Sequence, residues 1–149
     1  MIEADYVIVG GGSAGCVLAQ RLSENSRHTV VLLEAGGADR GPWLQIPIGY
    51  GKSFYDPAVN WMYRTEPDPG LAGRQGYWPR GKVLGGSSAI NAMVYIRGHP
   101  SDFDGWAALG NPGWSWADVA PVFRRLECAP HRDVASRGHS GPLCIADVS

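Results

Sequence analysis

Three glycines, Gly10-x-Gly12-x-x-Gly15, constrain this chain more than any other feature because of what stands on either side of them. Ala4-Asp5-Tyr6-Val7-Ile8-Val9 is short, apolar and rich in β-formers, and predicts a strand buried on both faces of a parallel sheet. From Ser13 to about Glu24, Ala14, Val17, Leu18 and Leu22 recur at helical spacing. Thr29 to Glu34 reads as a second buried strand, so the order is β–α–β with a right-handed crossover. Within that frame each glycine has a task. Gly10 allows the tight turn, Gly12 lets a pyrophosphate approach the backbone, and Gly15 lets helix and strand pack closely. Phosphates would meet the unpaired N–H groups where Ser13 and Ala14 open the helix, at its positive end. Glu34 ends the second strand, 19 residues beyond Gly15. An acid there accepts both hydroxyls of an adenosine ribose, which disfavours a 2′-phosphate. Gly10, Gly12, Ser13, Ala14, Gly15, Glu34 and the adjacent Ala35 are the candidate contacts of a dinucleotide, and the motif alone does not separate FAD from NAD.

The rest of the chain is punctuated by turns. Its 149 residues, 44% hydrophobic and 18% charged, suit one ordered α/β domain, and its 21 glycines and 11 prolines fall mostly in short clusters. Residues 35–80 form a long excursion rich in Gly, Pro, Trp and Tyr without a lasting period. Its aromatics, Trp43, Tyr50, Phe54, Tyr55, Trp61 and Tyr63, are assigned to core and lid packing. A short helix is predicted from about Ser87, and another over Asp104–Leu109 with Ser101 or Asp102 as its cap. Ser115 with Asp118 reads as a capping box for a helix to about Glu127, in which Pro121 removes one hydrogen bond. Gly141 to Ile145 reads as a strand.

A second glycine segment is more specific. Gly81-Lys82-Val83-Leu84-Gly85-Gly86-Ser87-Ser88-Ala89-Ile90-Asn91-Ala92-Met93-Val94-Tyr95-Ile96-Arg97-Gly98 resembles, along its whole span, the first signature of the glucose–methanol–choline (GMC) oxidoreductases. Asn60-Trp61, Thr65-Glu66-Pro67 and Asp102-Phe103-Asp104-Gly105-Trp106 are similar to the choline-dehydrogenase-like branch of that family. The resemblance runs from Tyr6 to about Ile145. It implies FAD as the cofactor of an incomplete Rossmann-like domain that is discontinuous in the family, with residues 1–140 as its amino-terminal part. Residues 141–149 would then start the strand leading into a substrate domain. It also implies that Val83, Gly85, Gly86, Ser87, Ser88, Asn91, Ala92, Met93 and Val94 lie along the flavin nucleotide. The implied reaction oxidises an alcohol CH–OH by hydride transfer to flavin, with the electron acceptor left open. An alcohol oxidase, a hydroxynitrile lyase, or a dinucleotide-binding module without turnover are the alternatives. Some family members bond a histidine just before the motif's Asn to the flavin. Ile90 stands there, so a non-covalent flavin is implied. The family's acid/base histidine lies near the end of a much longer chain, and no catalytic residue is carried over here.

Other classes find no support. A net charge of −1 with scattered arginines gives no basic stripe for nucleic acid. Cys16, Cys128 and Cys144 form no C-x-x-C pair, and His28, His99, His131 and His139 lack metal-ligand spacing, so no metal site is expected. No apolar run reaches transmembrane length, and Glu3 and Asp5 stand where a signal peptide carries basic residues. A cytoplasmic location is the resulting expectation.

Overall fold

The computed structural model describes residues 2–147. The chain divides into two compact units, Met1–Val94 and Tyr95–Ser149.

The first unit opens with β1 (Tyr6–Val9), α1 (Ser13–Ser23) and β2 (Val30–Leu33). The two strands are parallel, with Ile8 opposite Leu32. Their register is pinned at the entry, where the Asp5 carboxylate accepts the Thr29 N–H at 2.7 Å and its hydroxyl at 2.9 Å. Those bonds hold the Asp5 carboxyl below its ordinary range.

The expectation that both strands are buried on both faces is not met. The period of two splits β1: Ile8 is buried, with its Cγ2 3.4 Å from where a Cβ on Gly15 of α1 would sit. Val7 and Val9 point the other way and are 59% and 84% exposed. Each strand has one neighbour in a two-stranded sheet, and only the α1 side of β1 is covered among the described residues. On α1 itself Gly15 is buried, whereas Val17 and Leu18 stay half-exposed.

The excursion is ordered by short elements: α2 (Pro42–Gln45), α3 (Tyr50–Ser53) and the antiparallel pair β3 (Tyr63–Arg64) and β4 (Tyr77–Trp78). Its hub is Asn60, which is almost fully buried. Its amide donates to the Phe54 carbonyl at 2.8 Å and to the Tyr77 hydroxyl at 3.1 Å, while Oδ1 accepts the N–H groups of Met62 and Arg80. One buried side chain with its amide satisfied on both sides thus ties three parts of the loop together. The helix predicted near Ser87 is a single 3-10 turn over Gly86–Ala89.

The second unit contains α4 (Pro100–Ala108), α5 (Trp116–Leu126) and a short parallel pair, β5 (Glu127–Cys128) and β6 (Leu143–Cys144). The predicted capping box at Ser115 and Asp118 is present. The start of α4 differs from expectation. His99, not Ser101 or Asp102, is the cap, and Asp102 closes a capping box on it by accepting the His99 N–H at 2.8 Å. Pro100 explains the shift, since its fixed φ suits the first helical position and makes His99, the residue before it, the cap. Phe103 is buried against Trp106, Trp116 and Phe123, with ring centroids 5.3–5.8 Å apart. The strand predicted over 141–145 forms at Leu143–Cys144, and residues 148 and 149 of the expected lead into a substrate domain lie outside the described residues.

Candidate functional site

In the first unit the two glycine segments are laced together through their backbones. The Gly85 N–H donates to the Gly11 carbonyl at 2.7 Å, and the Leu84 N–H to the Gly37 carbonyl at 2.8 Å. Gly12 and Gly85 form a parallel bridge, as do Gly37 and Val83. At Gly86 this approach leaves no room for a side chain. A Cβ on Gly86 would lie 2.9 Å from the Cα of Gly12, and Gly86 holds a φ of +57° that an L-residue rarely adopts. A Cβ on Gly15 would sit 1.9 Å from the Gly10 carbonyl oxygen, which fixes that position by space alone.

Beside this junction lies a cavity of about 520 Å³. Gly10, Gly12, Glu34, Ala35 and Gly86 line it, with Val9, Leu33, Trp61 and Gly81. The amino-terminal turn of α1 starts at its edge, capped by Gly12 without any side-chain hydrogen bond and with no acidic residue in the first turn. Its N–H groups therefore keep their capacity for an anion. Glu34 is half-buried; its Oε2 accepts the Gly11 N–H at 2.6 Å and its Oε1 the Gly36 N–H at 2.7 Å. Each oxygen retains a lone pair for a further donor, and the two amide bonds fix where the carboxylate points.

Trp61 and Lys82 were not marked as site residues in the sequence. The Trp61 indole reaches the cavity from the excursion, its backbone N–H donating to the Arg80 carbonyl at 2.8 Å and its ring stacked on Tyr63. Lys82 places its ammonium 4.8 Å from the centre of the Trp61 ring and has no carboxylate partner among the described residues. The sequence groups Trp61 with the other aromatics of the excursion, assigned to packing, because nothing local in it brings Trp61 to the glycine segments.

The remaining predicted residues divide. Ser88, Asn91 and Met93 line a second, smaller cavity of about 150 Å³ with Trp43 and Tyr50. Met93 has a φ of +57°, held by its N–H to the Asn91 side-chain oxygen at 2.8 Å. Ser87 and Ser88 spend their hydroxyls on their own loop, accepting from the Gly81 N–H and donating to the Gly85 carbonyl. Val83 is 1% exposed and belongs to the core. Ser13, Ala14, Gly15, Gly85, Ala92 and Val94 line neither cavity. No histidine lines either one, so the only carboxylate or imidazole facing them is Glu34.

The second unit holds a cluster that sequence reasoning missed. Glu127 is fully buried, and its Oε1 accepts the Tyr95 hydroxyl at 2.6 Å and the Arg97 Nε at 2.7 Å, with Arg137 at 3.4 Å. Arg97 also donates to the Ser136 carbonyl at 2.8 Å and lies over the Phe123 ring. Burial alone would raise the Glu127 carboxyl, but the bonds from Tyr95 and Arg97 outweigh it and hold the group below its ordinary value near 4.5. Burial, and then the bond and charge of Glu127, push the Tyr95 phenol up. The second glutamate oxygen is buried without a hydrogen-bond partner among the described residues.

Comparison with known proteins places this geometry. The family described as GMC oxidoreductase matches residues 4–148. The oxygen-dependent choline dehydrogenase of Sinorhizobium fredii is 51% identical over 97% of the chain, which covers 26% of that protein. Pyridoxine 4-oxidase from Mesorbium loti superposes with a TM-score of 0.88 at 43% identity, over 95% of this chain and 28% of that one. An FAD-dependent oxidoreductase from Chaetomium thermophilum does so with a TM-score of 0.77 at 37% identity, over 95% of this chain and 26% of that one. The chain thus spans about a quarter of the length of the relatives it matches. Among the described residues, no helix is long and apolar enough to cross a membrane.

Proposed function

Because the chain belongs to the GMC oxidoreductase family, we propose that it forms the adenosine and pyrophosphate cradle of a non-covalently held FAD in an enzyme that oxidises the CH–OH group of a small alcohol. The observation that carries this reading is the cavity of about 520 Å³ where both glycine segments, the Glu34 carboxylate and the start of α1 converge. Its donors and acceptors suit a dinucleotide. The free first-turn amides of α1, at the cavity's edge, would meet a pyrophosphate, and a carboxylate oriented by Gly11 and Gly36 would accept ribose hydroxyls. Lys82 adds a positive charge on the side of Trp61. When bound, FAD supplies the two-electron acceptor that the protein side chains lack.

What this chain does in the reaction is to bind and orient. Gly81 and Gly86 bring backbone, unscreened by side chains, along the proposed cofactor cavity, and the strained Met93 with Asn91 shapes the neighbouring small cavity. General-base work requires a group within hydrogen-bond reach of the alcohol. Here Glu34 is committed to two backbone amides and no histidine lines a cavity. The chain alone is therefore read as inactive. Choline-like alcohols are the substrate class favoured by the curated relatives, residues 1–140 are read as the FAD-binding part, and residues 141–149 as the lead into a substrate domain.

The test is FAD retention by the full-length protein after dialysis, read by flavin absorbance. Glu34→Ala is expected to weaken retention about tenfold or more, since two charge-assisted bonds are lost. Glu24→Ala, on the exposed end of α1, is expected to leave it unchanged. Equal retention by the two variants would remove Glu34 from the site.

A further inference from the structure

Two of the three cysteines, 16 residues apart in sequence, stand side by side in the second unit. Cys128 on β5 and Cys144 on β6 are register partners in a parallel pair, so their side chains leave the same face. Neighbouring strands lie about 4.8 Å apart, inside the Cα separation that a disulfide spans. Both thiols are free. Cys144 is exposed, whereas Cys128 is partly covered and donates to the His139 carbonyl at 3.3 Å. Both strands are two residues long, and the Ile145 N–H to Cys128 carbonyl bond of 2.8 Å holds the end of β6 in place. A pair this short can make the small shift that brings two sulfurs to bonding distance.

We propose that Cys128 and Cys144 are a dithiol site that closes to a disulfide in the presence of a peroxide or a small-molecule disulfide. The exposed Cys144 reacts first. With a disulfide oxidant its thiolate forms a mixed disulfide and expels one thiol; Cys128 then attacks the Cys144 sulfur and expels the second. Two protons and two electrons leave the protein, one S–S bond forms, and the oxidant is reduced to two thiols. With hydrogen peroxide, Cys144 becomes a sulfenic acid and one water leaves; closure by Cys128 releases a second. Burial, then the negative charge of a Cys144 thiolate and the hydrogen bond with Cys144, raise the Cys128 thiol above its ordinary value, which fits a resolving rather than an attacking role. Closure staples β6 to β5 directly after Glu127, the residue that grips Tyr95 and Arg97. Cys16, on α1 in the other unit, is outside the pair.

The experiment treats the full-length protein with oxidised glutathione, alkylates the remaining thiols, and maps tryptic peptides without reduction. The expected product links the peptide Leu126–Arg132 to the peptide that begins at Gly138, two hydrogens lighter than the sum of the two. Cys144→Ser should abolish the linked species and leave Cys128 alkylated. A stable glutathione adduct on Cys144 beside an alkylated Cys128, or alkylation of both, would overturn the proposal. Hydrogen exchange gives a second reading: the Ile145 amide should exchange about tenfold more slowly in the oxidised protein. Unchanged exchange in a fully linked sample would overturn the stapling of β6.

Discussion

In the first unit the proposed cofactor cradle is assembled from backbone and from missing side chains. Gly85 bonds Gly11, Gly86 touches Gly12, and Gly15 rests on Gly10. In the second unit side chains hold the chain: one buried glutamate oxygen gathers Tyr95, Arg97 and Arg137, and two capping boxes start the helices. The difference teaches what each region can lose. A cradle made of backbone is broken by adding atoms, and a knot made of charges is broken by removing them.

The largest expected effect follows from removal. Glu127→Ala leaves Arg97, itself 90% buried, without its carboxylate and should cost about 3 kcal/mol of stability, measured by urea unfolding. A loss near zero would show that the cluster is no more than a surface ion pair. The same group predicts an acid limb. A carboxyl held below its ordinary value stabilises fully above about pH 4.5, and that stability is lost as the pH falls through the depressed native value. Glu127→Gln should flatten that limb, and an unchanged acid transition would place its cause elsewhere.

Next comes addition to the cradle. Gly15→Val puts a branched side chain where even a Cβ meets the Gly10 oxygen at 1.9 Å. Displacing that turn by about an ångström should cost about a hundredfold in FAD affinity. Gly51→Val, at a glycine with open space around it, is the control that should bind normally. Similar losses in both variants would mean that glycine content, rather than the contact, matters.

Smaller again is the single cation. Lys82→Gln should weaken FAD about threefold and flatten the dependence of binding on salt, because one charge without a carboxylate partner among the described residues, near the proposed cofactor site, acts mainly through screened attraction. A salt slope equal to the parent's would exclude Lys82 from the site. The linkage of the flavin sharpens the picture last. Ile90 is 2% exposed and offers no nucleophile, so acid precipitation should leave the yellow cofactor in the supernatant. A flavin retained in the pellet would show a covalent attachment.

Much of the proposed cradle was legible in the sequence because its parts are local. A strand, three glycines, a helix and an acid at fixed spacing follow from neighbouring residues, and β1, α1, β2 and Glu34 stand where that pattern puts them. The capping box at Ser115 and Asp118 was local too. What escaped depends on distant pairs. Trp61 joins the cavity through a bond to Arg80, and Glu127 meets residues 30 and 32 positions earlier in the chain. Cys128 and Cys144 become neighbours only when β5 and β6 pair. The exposure of Val7 and Val9 escaped for another reason: an apolar run says that a strand suits burial, not that its neighbours are at hand.

The most direct test of a cradle built from backbone is one methyl group. Gly86→Ala in the full-length protein adds a Cβ aimed at Gly12, 2.9 Å from its Cα, at a φ of +57°. FAD should be titrated into the deflavinated parent and variant side by side, with circular dichroism confirming that both are folded. The expected result is FAD binding weakened by about tenfold or more at unchanged secondary structure. Equal affinity in the two proteins would contradict the central claim that the contact between Gly12 and Gly86 forms the cofactor site.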